Sequence, residues 1–141
     1  QDIMAACGMS ATGVVCSSQY DMPALALWHL DQDSYVINTQ TFYQRSTNGY
    51  KVLIAMRYHV CVWAILQGIP FVALAYDPKV FELAKSAQQC VLLPHQWQGT
   101  ELQQSLLHVQ DKWDIYFAAL LVYRQTCLQQ ADEHGWVFGK R

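Results

Sequence analysis

The chain has 141 residues, of which 52% are hydrophobic and only 14% charged, and its formal net charge is -2. Such a composition belongs to a globular chain, long enough for one domain over 1–141 with a sizeable core, and it excludes a disordered polyelectrolyte. No basic run offers a nucleic-acid footprint and no apolar stretch approaches the ~20 residues of a membrane span, so neither nucleic acid nor a membrane is expected as a partner.

In chain order, residues 2–11 carry the end of a helical pattern that stops near Gly13. Gly13-Val-Val-Cys-Ser17 then reads as a first strand. Met22 to Leu30 is rich in helix formers, with Asp21 as N-cap and Pro23 in the first turn, where its missing N–H is harmless. Ser34-Tyr-Val-Ile-Asn38 is a second strand, and Thr41 to Ser46 a short helix closed by Asn48-Gly49. Lys51 to Met56 forms a third strand whose unbroken apolar run predicts burial on both faces. His59 to Gln67 is a short apolar helix stopped by Gly68, a residue that accepts the left-handed cap conformation. Pro70 leads into a fourth strand, Phe71 to Ala75, followed by a helix over Lys79 to Gln88 and a fifth strand, Cys90-Val-Leu-Leu-Pro94. Beyond Thr100 the pattern is helical throughout, with one helix over 101–110 and a longer one from about Asp111 to Glu133, ended by Gly135. Trp113, Tyr116, Phe117, Leu120, Leu121, Tyr123, Cys127 and Leu128 give the long helix a broad apolar face for burial against a sheet or another domain.

Strands that alternate with helices imply a parallel sheet with right-handed crossovers. The expected fold is therefore α/β: a small doubly wound, Rossmann- or flavodoxin-like domain with a five-stranded parallel sheet in the order 2-1-3-4-5 and a long C-terminal helix. The five cysteines form no CxxC pair and read as small buried hydrophobes of a reducing compartment. Their odd number does not suit a disulfide framework. Residues 1–15 lack a basic start followed by a long apolar block, and the expected location is the cytoplasm. The five histidines show neither HxxxH nor HExxH spacing, so no metal site is expected.

Ligands of open α/β sheets bind at the carboxyl ends of the strands. Arg57 and His59 follow the third strand, and Asp77 and Lys79 follow the fourth. Such groups at two neighbouring strand ends suit an anion. Arg57 offers a planar fork for a carboxylate or phosphate. Lys79 offers a point charge at a helix start, and His59 offers an imidazole suited to acid–base work. Plainer roles compete: Asp77-Pro78 is also a good N-cap and N1 pair, and Lys79 suits a solvated first-turn position. His95, next to Trp97 after the fifth strand, is either a ligand contact at the same edge or loop surface. Tyr20-Asp21 after the first strand has a similar choice between acceptor contact and capping. His29, His108 and His134 read as surface or boundary residues.

The run Ile54-Ala-Met-Arg57-Tyr-His59, followed by Gly68-Ile-Pro-Phe-Val-Ala-Leu-Ala-Tyr76-Asp77-Pro78-Lys79-Val80, resembles the signature of polysaccharide pyruvyltransferases. Val60 stands where that pattern usually has Ala. The resemblance implies a GT-B-type protein of two Rossmann-like domains, of which this chain is similar to the C-terminal one alone. The family's strand order there is 3-2-1-4-5-6. The resemblance implies that the chain starts in the helix after the family's central strand, and removing that strand leaves the contiguous 2-1-3-4-5 order.

The resemblance further implies phosphoenolpyruvate as donor substrate, no other cofactor, and a glycan acceptor of a cell-surface polysaccharide on which a pyruvyl ketal is made. It places His59 and Lys79 at catalytic positions, with Arg57, Asp77 and His95 as substrate-binding candidates. An N-terminal domain or a homo-oligomeric partner would complete the cleft. The alternative is a non-catalytic, truncated or stand-alone module that oligomerises and keeps at most a weak site for small anions.

Overall fold

The structure, a computed structural model, describes residues 13–15, 34–36, 51–97 and 100–134. Two parallel sheets occur in it. In the first, Gly13–Val15 (β1) pairs with Ser34–Val36 (β2), with Val14 opposite Tyr35. In the second, Leu53–Ala55 (β3), Phe71–Leu74 (β4) and Cys90–Leu92 (β5) lie in the order β3-β4-β5, with Ala55 opposite Ala73 and Leu74 opposite Leu92. The α/β class, the parallel pairing and the placement of β4 between β3 and β5 agree with the sequence.

The single five-stranded sheet in the order 2-1-3-4-5 is corrected. Among the described residues β1 and β2 form a two-stranded sheet of their own, and no ladder joins β1 to β3. Apolar runs mark which segments are strands and which faces they bury, but they carry no information on which strand lies beside which. The expected helices at 2–11, 22–30 and 41–46 lie outside the described residues.

Four helices are described: Tyr58–Gln67 (α1), Pro78–Ser86 (α2), Thr100–Asp111 (α3) and Trp113–Glu133 (α4). From β3 to α4 the boundaries fall within two residues of the sequence reading, with all three strands shorter than expected. The end of β5 gives way to a 3-10 turn over Pro94–Gln96. Gly68 caps α1 at φ 70°, the left-handed conformation its sequence position predicts.

Side chains alternate across the strands, so the three-stranded sheet has two apolar faces. Leu53, Ala55, Phe71, Ala73 and Ala75 face Val60, Cys61, Trp63 and Ala64 of α1, Val80 and Ala84 of α2, and Leu120 of α4. Val72, Leu74 and Leu92 face Leu102, Leu106 and Val109 of α3. Both crossover helices thus cover one face, as two crossovers of the same hand require, and α3 covers the other. All four residues of β4 are buried, which explains their unbroken apolar run.

One buried polar side chain ties the layers together. Gln89 Oε1 accepts from Phe71 N–H at 3.2 Å, and its Nε2 donates to the carbonyls of Ala87 (3.0 Å) and Tyr116 (3.1 Å). The preceding Gln88 has φ 54°, so the turn between α2 and β5 is bent sharply enough to bring Gln89 under β4. No described helix is long and apolar enough to cross a membrane.

Of the apolar face expected on the long helix, Leu120 is buried, Trp113, Tyr116, Phe117, Leu121 and Tyr123 are half-buried, and Cys127 and Leu128 are exposed. Of the 21 residues of α4, Leu120 is the buried one. Trp113 stacks on Phe117 at 4.7 Å between ring centroids, and Trp113 Nε1 donates to the Lys51 carbonyl at 2.7 Å. Arg124 Nη1 donates to the Leu66 carbonyl at 3.0 Å. The helix therefore grips the domain at a few points, while Ile115 and Val122 are each 66% exposed and Leu128 is exposed as well. The physical reason is that its first half is apolar all round. Only one stripe of such a helix can reach a sheet whose face α1 and α2 already cover.

Candidate functional site

β3 ends at Ala55, and the chain runs on in extended geometry through Arg57 (φ -89°, ψ 140°), the N-cap of α1. The Arg57 carbonyl accepts from Val60 N–H at 3.0 Å and Cys61 N–H at 3.1 Å. No side chain caps this helix and its first turn holds no acidic residue. The first-turn N–H groups of α1, together with the helix dipole, therefore favour an anion at this end. Arg57 is half-buried and His59 exposed, the His59 ring standing edge-on to Tyr58 with centroids 6.0 Å apart. The next residues hold the helix in place. Val60 and Cys61 point into the core, and burial pushes the Cys61 thiol up to about 12. It stays protonated and acts as a small hydrophobe.

β4 leads in the same way to α2. Asp77 is the N-cap (φ -122°, ψ 136°), Pro78 occupies N1, and Asp77 Oδ1 accepts from Lys79 N–H at 2.7 Å. Of the two roles open to Asp77 in the sequence, helix capping is therefore the one the geometry displays. Capping also spends the Lys79 N–H, so Lys79 offers this edge its exposed ammonium rather than its backbone. Val80 and Ala84, on the inner side of α2, anchor it to the sheet.

After β5 the chain turns through Pro94–Gln96. Leu93 N–H donates to Gln96 Oε1 at 2.9 Å, and Trp97 Nε1 donates back to the Leu92 carbonyl at 3.0 Å. These two bonds pin the turn and leave His95 exposed on it.

Arg57 with His59, Asp77 with Lys79, and His95 thus follow the carboxyl ends of three adjacent parallel strands. Neighbouring strands lie about 4.8 Å apart, so the outer two ends are separated by roughly 10 Å. The shared edge carries the N-termini of two helices, a guanidinium, an ammonium and two imidazoles. Among the described residues no ion pair engages His59, Lys79 or His95. One ion pair among the described residues joins Lys112 to Asp111 at 3.2 Å, both exposed. The arrangement can receive a small dianion: two helix ends supply N–H groups or dipole, and Arg57 and Lys79 supply charge. Tyr20, Asp21 and His29 lie outside the described residues. His108 is exposed on α3 and His134 is exposed at the C-cap of α4, as expected.

Two features are not apparent from motif spacing. One is a groove of about 410 Å³ beside β5, lined by Cys90, Leu92, Gln96, Glu101, Gln104, Ser105 and His108. Its α3 residues recur at spacings of three and four, a visible stripe, but a polar stripe on a helix ordinarily reads as a solvated face. The other concerns the cysteines. Cys61 is buried, but Cys90 is only half-buried at the groove and Cys127 is exposed on α4.

Comparison with known proteins supports the resemblance read from the sequence. The family model described as Polysaccharide pyruvyl transferase matches residues 44–78, about a quarter of the chain. The matched segment holds β3, α1 and β4 and includes Arg57, His59 and Asp77. It stops one residue before Lys79. No curated protein and no solved structure matches the chain.

Proposed function

We propose that this chain is the donor-binding domain of a pyruvyltransferase that takes phosphoenolpyruvate and makes a pyruvyl ketal on a sugar of a cell-surface polysaccharide. The observation that carries the reading is the meeting, at one strand-end edge, of a segment matched by the pyruvyl transferase family and two cation-bearing helix starts. Phosphoenolpyruvate has a phosphate and a carboxylate, and this edge offers two positive groups and two helix N-termini.

In the reaction, the methylene carbon of the donor gains a proton and becomes the methyl group. Its neighbouring carbon forms bonds to two sugar hydroxyl oxygens as the bond to phosphate breaks. Of the two hydroxyl protons released, one balances the methyl proton and the other leaves with phosphate. Protonation creates an oxocarbenium-like centre, so the step calls for a general acid and a general base. His59 is assigned to proton transfer or phosphate contact. Lys79 holds the donor anion and stabilises charge on the departing phosphate. Arg57 takes the carboxylate or phosphate through two parallel N–H donors. Asp77 contributes by fixing the start of α2, and His95 reaches toward the donor or acceptor from the third strand end. An N-terminal domain, or a second copy of the chain, supplies the opposite wall of the cleft.

Titration calorimetry with phosphoenolpyruvate tests the reading. Lys79→Ala is expected to weaken binding at least about tenfold, the effect of losing a charged hydrogen-bond partner, and His59→Ala to weaken it less. Affinity that is unchanged in both variants contradicts the proposal.

A second reading has its own supporting observation. The exposed Ile115, Val122 and Leu128 of α4 suit a non-catalytic module that associates through this helix. It requires no response to millimolar phosphoenolpyruvate, together with a mass above that of one chain in sedimentation.

A further inference from the structure

The groove beside β5 has a chemistry unlike that of the strand-end edge. Its floor is Cys90 and Leu92 of β5, its end is Gln96 of the 3-10 turn, and its wall is Glu101, Gln104, Ser105 and His108 of α3. The α3 residues form one stripe, because positions three and four apart share a helix face. Leu102, Leu106 and Val109, on another face of the same helix, are buried against the sheet and hold the stripe in place.

Most of the groove's hydrogen-bonding capacity is unspent. Gln96 Oε1 is used by Leu93 N–H, which leaves the Gln96 amide donors. Ser105 lies beside the Cys90 thiol, which burial pushes above its usual range. Glu101, Gln104 and His108 make no hydrogen bond or ion pair through their side chains among the described residues. The His108 ring packs edge-on against Tyr116 at 6.0 Å, which fixes its plane.

The balance of charge selects the ligand class. Among the described residues no lysine or arginine lines the groove, and the Glu101 carboxylate repels anions, so phosphate and carboxylate ligands fit it poorly. A carboxylate, two amides, a hydroxyl and an imidazole instead supply mixed donors and acceptors, as adjacent hydroxyls on a ring require. The volume of about 410 Å³ falls within the roughly 300–1,000 Å³ of small-molecule sites. We infer that this groove binds a neutral polyhydroxylated ligand, a sugar ring of the acceptor, with Glu101 and Gln104 as its principal hydrogen-bonding partners. Leu92 and Gln96 lie at the carboxyl end of β5, so a sugar chain lying along the groove leads toward His95 and the donor edge. The assignment of the sugar as acceptor rests on the proposed pyruvyltransferase function; the binding itself does not.

The test is amide NMR of the full 141-residue chain with the methyl glycosides of glucose, galactose, mannose and N-acetylmannosamine, each to 50 mM, and separately with phosphoenolpyruvate and inorganic phosphate. At least one glycoside is expected to shift the amides of 96 and 101–108, with affinity falling about tenfold in Glu101→Gln and again in Gln104→Ala. Both side chains are exposed, and an otherwise unchanged spectrum shows that the variants fold. If no glycoside perturbs α3, or if inorganic phosphate perturbs it as strongly, the inference is overturned. Glycoside shifts that persist undiminished in both variants overturn it as well. Phosphoenolpyruvate shifts at 57–59 and 77–79 without glycoside shifts reject the groove and retain the transferase reading. Glycoside shifts without phosphoenolpyruvate shifts do the reverse.

Discussion

β4 and α4 divide the molecule's apolar surface in opposite ways. The four residues of β4 are buried on both sides, between α1 and α2 on one face and α3 on the other. α4 is five times longer and has one buried residue. Both are rich in apolar side chains, so hydrophobic content alone does not say where stability resides. A strand alternates its side chains between two covered layers and uses them all. A helix that is apolar all round can offer only one stripe to a single neighbour, and the remainder stays in water. The β3–β5 unit is therefore the scaffold, and α4 is an attachment fastened at points.

Three perturbations sharpen or break this contrast. The largest effect is expected where the two regions are joined. Gln89→Leu strands the Phe71 N–H and two carbonyls in the interior and is predicted to cost about 2–3 kcal/mol in urea unfolding. A loss below about 0.5 kcal/mol would mean that β4 and α4 are not coupled through this side chain. Next comes alkaline pH. The Cys61 thiol has its folded pKa raised from 9.0 to about 12 by burial. The folded state keeps its proton where the unfolded state loses it, so the contribution is complete below pH 9 and is lost as pH rises toward 12. From pH 8 to 9.5 the expected loss from this group is about 0.8 kcal/mol, and Cys61→Ala should reduce the pH dependence by that amount, the remainder coming from the Cys90 thiol, which burial also raises. The smallest effect is expected on α4. Ile115→Ser is predicted to shift stability by no more than about 0.5 kcal/mol, because the side chain is mostly in water already. A loss above 2 kcal/mol that grows with protein concentration would reveal a covered face and favour the associating module.

The legible part of the fold follows the same division. From β3 to α2 the sequence carries redundant signals. Gly68 ends α1, Pro70 precedes β4, and Asp77-Pro78 starts α2, so each boundary is marked by backbone chemistry as well as by periodicity. The strand-end residues were legible for the same reason, since a residue just past a buried strand lies at the carboxyl edge by construction. Strand order across β1 and β3 was not legible, because lateral pairing is set by backbone contacts between distant segments. The exposure of α4 was hidden by its all-round apolarity. The groove was hidden by ordinary side chains. Gln104 and His108 acquire a concave setting only once α3 lies beside β5, and nothing in their spacing announces that.

The anchoring of α4 has a consequence for how the chain can vary. Trp113 reaches the carbonyl of Lys51 ahead of β3, the Tyr116 carbonyl receives Gln89 ahead of β5, and a Cβ on Gly68, ahead of β4, would come within 3.3 Å of Phe117. All three fastenings lie at the amino ends of the strands, opposite to the candidate site. The helix acts as a drawstring at the base of the sheet while the rim remains untied. Insertions and substitutions at the rim can thus reshape what is recognised without loosening the base, and a change of ligand need not be accompanied by a change of fold.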